Sequence, residues 1–174
     1  MNSVQIHLAL THVPVLLSLV GLVIMAVAMI RKNATLTHTA FILLLLAALS
    51  ALPVYFTGEP TEELVEGLPG VSEASIEEHE ELAKTSLLVV LVTGAVALAG
   101  LIWKTGLARI LRVVVLVLAL GSSGLMAVTA HLGGQIRHPE LRSGFVAQGE
   151  PGENATGTQT EKEAQAVPGE EDDD

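Results

Sequence analysis

The sequence predicts an all-α integral membrane protein, a four-helix bundle, on three observations. Four uncharged apolar runs, Val13–Ile30, Thr39–Phe56, Thr85–Trp103 and Val113–Ala130, are each about 18 residues long, the length a hydrocarbon core requires of a helix. All 19 acidic residues lie outside these runs, in 57–84 and 134–174. The short connections are basic: Arg31 and Lys32 follow the first run, and Lys104, Arg109 and Arg112 follow the third. In a four-span chain those two connections share a side, and Lys and Arg in short loops mark the cytoplasm. Both termini and the loop 57–84 are therefore expected outside. This places the chain in a cell (inner) membrane with its termini on the periplasmic or extracytoplasmic side.

The first span begins around His7 or Thr11, with Pro14 either in the opening turn, where its missing N–H costs nothing, or at a kink. Ala26-Val27-Ala28 looks like a cleavage pattern, but no basic residue precedes the run and a basic pair follows it, so the span is expected to stay. The second span runs from Thr37–His38 to Tyr55-Phe56, with Pro53 bending its last turn. In the outer loop, Thr61–Glu66 reads as a short helix closed by Gly67, and Leu68-Pro69-Gly70 as a turn. Ser75-Ile76-Glu77-Glu78 fits a capping box, which starts the third helix near Ile76. From there to Trp103 is roughly 42 Å, more than the hydrocarbon core of about 30 Å. Residues 76–84, His79 among them, should stand above the membrane.

Span three carries Gly94 and Gly100, and span four carries Gly121-Ser122-Ser123-Gly124; small residues let membrane helices approach closely. The transmembrane domain is expected over 1–140. The acidic tail 141–174 has too little apolar content to fold and is expected to be disordered.

Composition excludes several functions. Without cysteine there is no thiolate metal site, iron–sulfur cluster or covalently attached haem. A net charge of −10 with no basic patch disfavours nucleic acid. A transporter for protons or metal ions stays as the weakest expectation, since mid-span positions hold no polar residue beyond Ser and Thr whereas transport sites usually lie near the midplane.

Function rests on six histidines: His7, His12, His38, His79, His131 and His138. All but His38 fall on the outer side. His12 immediately precedes the apolar part of span one and His131 immediately follows that of span four, so the two should share a depth. His7 and His12 are about 140° apart around a regular helix and cannot both face one site. His131 and Gly124 share a face, which points His131 along a glycine-floored cleft. Neutral imidazole is the commonest protein ligand for transition metals and an axial ligand of haem iron. The plainer alternative is a set of interfacial polar residues bonded to backbone or lipid. The acids Glu59, Glu62 and Glu63 after span two, and Glu78, Glu80 and Glu81 around His79, suit a solvated loop or the support of a metal site. Paired Glu-x-x-His motifs are absent, so a ferritin-like carboxylate site is not expected.

His7-Leu8-Ala9-Leu10-Thr11-His12-Val13-Pro14 resembles the His-Pro-x-x-x-His-Phe-Pro opening of a family of small prokaryotic four-span membrane proteins of uncharacterised function. Ala130-His131-Leu132-Gly133-Gly134 resembles the Gly-His-Leu-Gly-Gly-like end of their last helix. The resemblance covers roughly 1–140, with Leu8, Val13 and Ala130 departing from the pattern. Some members occur beside or fused to redox proteins, which implies electron transfer and no particular substrate.

The leading expectation is a small redox subunit in the lipid bilayer that binds b-type haem or a transition metal ion. Its ligands would come from His12 and His131 first, then His7 and His79, with Glu63, Glu80 and Glu81 supporting them or handling protons. The alternative is a non-catalytic membrane subunit that scaffolds a larger complex, redox or otherwise, through its acidic loop and tail.

Overall fold

A computed structural model describes residues 3–66, 68, 71–103 and 108–138. The expected tail 141–174, the turn residues Gly67, Pro69 and Gly70, and Lys104 of the second basic connection lie outside the described residues. Six helices follow one another: α1 Ser3–Leu10, α2 His12–Arg31, α3 Ala34–Phe56, α4 Glu59–Val65, α5 Glu73–Ile102 and α6 Ala108–Arg137. Four of the helical stretches, Val4–Arg31, Ala34–Phe56, Glu73–Ile102 and Arg109–Ile136, are long and apolar enough to cross a membrane.

The first crossing is α1 and α2 together. Thr11 N–H still bonds His7 O at 2.9 Å, so the helix runs on through the break. Pro14 has no N–H to offer Leu10 O, which accounts for the interruption one turn before it. Lys32 sits in the left-handed region at φ 50 and ends α2. Asn33 then caps α3, its side chain accepting Leu36 N–H at 3.0 Å. So tight a turn forces α2 and α3 antiparallel. Pro53 lies inside α3, one turn before its end at Phe56. Gly58 caps α4, with Pro60 in its first turn. The third long helix starts at Glu73, earlier than the capping-box expectation of Ile76. Ser72 is the extended N-cap residue, and Glu73 places negative charge in the first turn.

The four long helices form a ring: α2 packs on α3 and α6, and α5 packs on α3 and α6. Its interior is small and partly polar. Ser18, Thr93, Ala97, Ala119 and Ser122 have no exposed surface. Large aliphatic side chains face outward, among them Leu16, Val23, Leu49, Leu88, Val117 and Leu120, each about half exposed or more. Such a surface would associate in water and is suited to lipid. Lipid tails are as apolar as leucine, so close packing and interhelical hydrogen bonds hold the ring together rather than hydrophobic burial. Ser18 Oγ–H donates to Met126 Sδ across α2 and α6 at 3.6 Å, and Ser86 Oγ lies 2.7 Å from Thr129 Oγ1 across α5 and α6.

Gly94 lies directly on Ala48, and a Cβ added to it would collide with the Ala48 methyl. Gly21 sits against Leu44 and Gly100 against the Phe41 ring. The glycines of the Gly121–Gly124 segment behave differently from expectation: both face open space, while Ser122 and Ser123 between them point inward. Gly94→Ala should therefore lower the thermal unfolding midpoint in detergent, at an overpacking cost of about 1–3 kcal/mol. Gly121→Ala, which meets nothing and gains helix propensity, should leave the midpoint unchanged or raise it. Circular dichroism melts of the two variants check this.

Candidate functional site

At the end of the ring opposite the Arg31–Lys32 turn, the helices part around a cavity of about 200 Å³. Helices α1 and α4, which touch each other, form part of its wall. His7, His79, Glu59, Glu62 and Glu80 supply its ionisable groups, and Tyr55, Phe56, Leu87 and Met126 are among its apolar residues.

Each cavity histidine is anchored through one ring nitrogen. His7 Nδ1 lies 3.0 Å from Val54 O and 3.3 Å from Thr57 Oγ1. The Thr57 hydroxyl turns its proton to its own helix, with Pro53 O at 2.8 Å. Both oxygens facing Nδ1 therefore accept, and Nδ1 carries the hydrogen. His79 Nδ1 lies 3.0 Å from Thr129 O and donates to it for the same reason. Nε2 of each ring keeps its lone pair, and among the described residues nothing bonds to it.

Glycine makes the second approach possible. A Cβ on Gly133 would stand 3.0 Å from His79 Cε1, tight enough that the ring would have to give by a few tenths of an ångström. Thr129 is held in turn: its hydroxyl donates to Leu125 O at 2.9 Å, so Ser86 is the donor in the Ser86–Thr129 bond. On the other side, a Cβ on Gly58 would be 3.7 Å from His7 Cε1, an ordinary contact.

The other expected histidines lie elsewhere. His12 and His131 are exposed, and neither lines the cavity. The expected shared site between them is not formed. The first crossing turns His7 onto the cavity and leaves His12 exposed, as an angular separation of about 140° allows. His131 stays on the open face with Gly124, where its Nε2 meets the Gln135 side-chain amide at 2.9 Å. His38 sits at the opposite end, with Nδ1 2.8 Å from Ala34 O in its own helix, and His138 is exposed. Glu63 and Glu81 are exposed and do not line the cavity, whereas Glu80 does. Glu80 also pairs with Lys84 at 2.7 Å along α5.

Two residues matter more than the sequence suggested. Gly133 stood beside His131 in a motif that drew attention to the histidine, yet it is the glycine that seats a ring. Glu62 lies three residues from Glu59 and Glu63 four, so both share its side of α4 and the spacing does not choose between them; the cavity wall takes in Glu62 and leaves Glu63 exposed. Burial pushes the Glu62 carboxyl above the ordinary carboxylate range; Glu80 and Glu59 add to the rise and Lys84 opposes it. Compared with models of protein families, with characterised proteins and with solved structures, the chain matches none.

The Glu62 shift has a signed consequence. A carboxyl raised on folding binds more protons folded than unfolded, so its contribution to stability falls as pH rises from the ordinary carboxylate value through the raised one. Glu62→Gln should raise the melting midpoint at neutral pH, and the gain should shrink as pH falls toward 4. Melts of wild type and variant across that range measure the effect.

Proposed function

We propose that this protein is a small redox subunit of the cell membrane that holds a metal-centred group, b-type haem or a transition metal ion, through Nε2 of His7 and His79. One observation carries the reading: both imidazoles give their Nδ1–H to a backbone carbonyl on a neighbouring helix and leave Nε2 unclaimed. Metal-bound histidines are commonly oriented in this way, with the second nitrogen tied to a carbonyl or carboxylate that sets the tautomer. The same bonds would satisfy one nitrogen of a purely structural histidine; two rings alike at one cavity favour a ligand.

The donor set limits the group. Among the described residues no cluster of three or more His, Asp or Glu side chains converges as a metal site. A bare ion would have to complete its shell with water. Haem brings four nitrogens of its own and asks the protein only for axial ligands. The cavity, at about 200 Å³, is below the roughly 300–1,000 Å³ of sites that enclose a drug-sized molecule. A macrocycle would therefore need its wall to open, and a hydrated ion would not. When bound, either group would supply one-electron chemistry. The chain would supply two neutral donors, an apolar wall and the Glu62 carboxyl as a proton-holding group at the mouth. We place the cavity on the outer face, because Arg31, Lys32, Arg109 and Arg112 belong to the other end.

Full-length protein purified in detergent should show a Soret band or carry stoichiometric iron or copper by elemental analysis. His7→Ala and His79→Ala should each abolish the signal, and His12→Ala and His131→Ala should retain it. A colourless, metal-free wild type from cells supplied with haem precursor and metal would refute the reading.

A further inference from the structure

The two cavity histidines stand in the same relation to their surroundings. His7 on the first crossing donates to the carbonyl of Val54 on the second, four residues before Gly58. His79 on the third donates to the carbonyl of Thr129 on the fourth, four residues before Gly133. Shifting the first crossing by 72 positions, the separation of the two histidines, lays it on the third. Buried Pro14, Ser18, Gly21 and Met25 then fall on Ser86, Val90, Thr93 and Ala97, all buried. A shift of 75 lays the second crossing on the fourth, and buried Ala40, Leu44, Ala47, Ala48 and Ala51 fall on Val115, Ala119, Ser122, Ser123 and Met126, again all buried. Phe41 falls on half-buried Leu116, and Thr37 on half-buried Arg112.

Burial alone would match at several shifts, since any packed helix repeats its inner face. The shifts are fixed by the histidine, its carbonyl acceptor and the glycine beyond, which coincide only here. The ring order agrees. A two-fold axis along the bundle exchanges the diagonal pairs α2 with α5 and α3 with α6. It maps the α2–α3 contact on α5–α6 and α3–α5 on α2–α6, all four of which exist. This is the parallel repeat, with an axis along the membrane normal, found among membrane folds.

The cavity straddles that axis. Seven equivalent pairs line it, among them His7 with His79, Pro14 with Ser86, and Val54 with Thr129. The lining residues without an equivalent on the wall are Phe56, Gly58, Glu59, Glu62 and Glu80, so three acids, an aromatic ring and a glycine break the symmetry.

We infer that the chain is a tandem repeat of a two-helix unit and that His7 and His79, its equivalent imidazoles, take one metal centre between them on the axis rather than two separate ones. This rests on the proposed function and gives it a stoichiometry and a ligand count: one centre and two like nitrogens. The two half-sites contribute alike, since each ring has the same donor bond behind it.

Hemin, and separately Co²⁺, titrated into the detergent-solubilised full chain test this by visible absorption. One equivalent should saturate the wild type, with a low-spin bis-imidazole spectrum for hemin or nitrogen-ligand bands for Co²⁺. His7→Gly and His79→Gly should lose affinity to similar extents, by at least roughly 10–100-fold, the loss seen even when a ligand's supporting partner is removed. Free imidazole should restore the wild-type spectrum in both variants, which also shows that each has folded. Two equivalents at saturation would overturn the shared centre and leave metal binding at the two histidines standing; loss in one variant alone would overturn both the shared centre and the two-histidine ligation of the proposed function. Binding of neither probe to the wild type would overturn both the shared centre and the proposed function.

Discussion

Close approach of four helices at small side chains is the constraint on which the rest of this structure depends, because in lipid there is no hydrophobic gain to hold larger interiors together. Gly94 on Ala48, Gly21 on Leu44 and Gly100 on Phe41 bring backbones near enough for dispersion contacts and for the few hydroxyl bonds between helices. The interior is consequently narrow through the middle of the bundle. It widens at the end where Pro14 interrupts the first crossing and Pro53 lies near the end of the second, and again at the opposite end around His38, Phe41 and Arg112. The first of these cavities falls where the chain also places its inward imidazoles and acids.

The same principle explains how the rings are held. A histidine beside a helix reaches a backbone carbonyl more easily where the residue one turn beyond that carbonyl is small. Gly133 meets that condition tightly at His79, and Gly58 meets it more loosely at His7. Each ring is thereby committed to one tautomer without any carboxylate partner. The acids of the outer segment are then left to act on the cavity as a whole. Glu62 is disfavoured as a carboxylate by its burial and by Glu80 and Glu59, so it holds a proton more readily than an ordinary carboxyl. The halves of the bundle are alike in their helices and differ in this acidic addition, which gives an otherwise symmetric cavity a direction.

The division between what is local and what is collective runs through the site residues. Apolar length, the charge of the turns and the helix-breaking residues are sums over neighbouring positions, so four helices long and apolar enough to cross a membrane and the short helix after Gly58 could be read from the chain. Which face of a helix turns inward is not such a sum. His12 lies nearer the apolar run than His7, yet the crossing rotates His7 onto the cavity and leaves His12 exposed. His131 has the matching depth, and depth carries no information about rotation. Glu63 and Glu62 are adjacent in sequence and point apart for the same reason.

By itself, the amino-acid order determined an all-helical protein with four helices apolar enough to cross a membrane and with its acids kept out of their apolar runs, since hydropathy and charge act residue by residue. The repeat was hidden from it: Ser18 and Val90, Gly21 and Thr93, or Met25 and Ala97 share no chemistry a sequence comparison would notice. Only packing shows them to be equivalent, because lipid-embedded helices ask of an inner position that it be small enough to fit, and many residue types satisfy that demand. The tertiary structure alone decided that two histidines from different halves face one cavity, since the angle at which a side chain leaves its helix acquires meaning only when a neighbour is there to receive it.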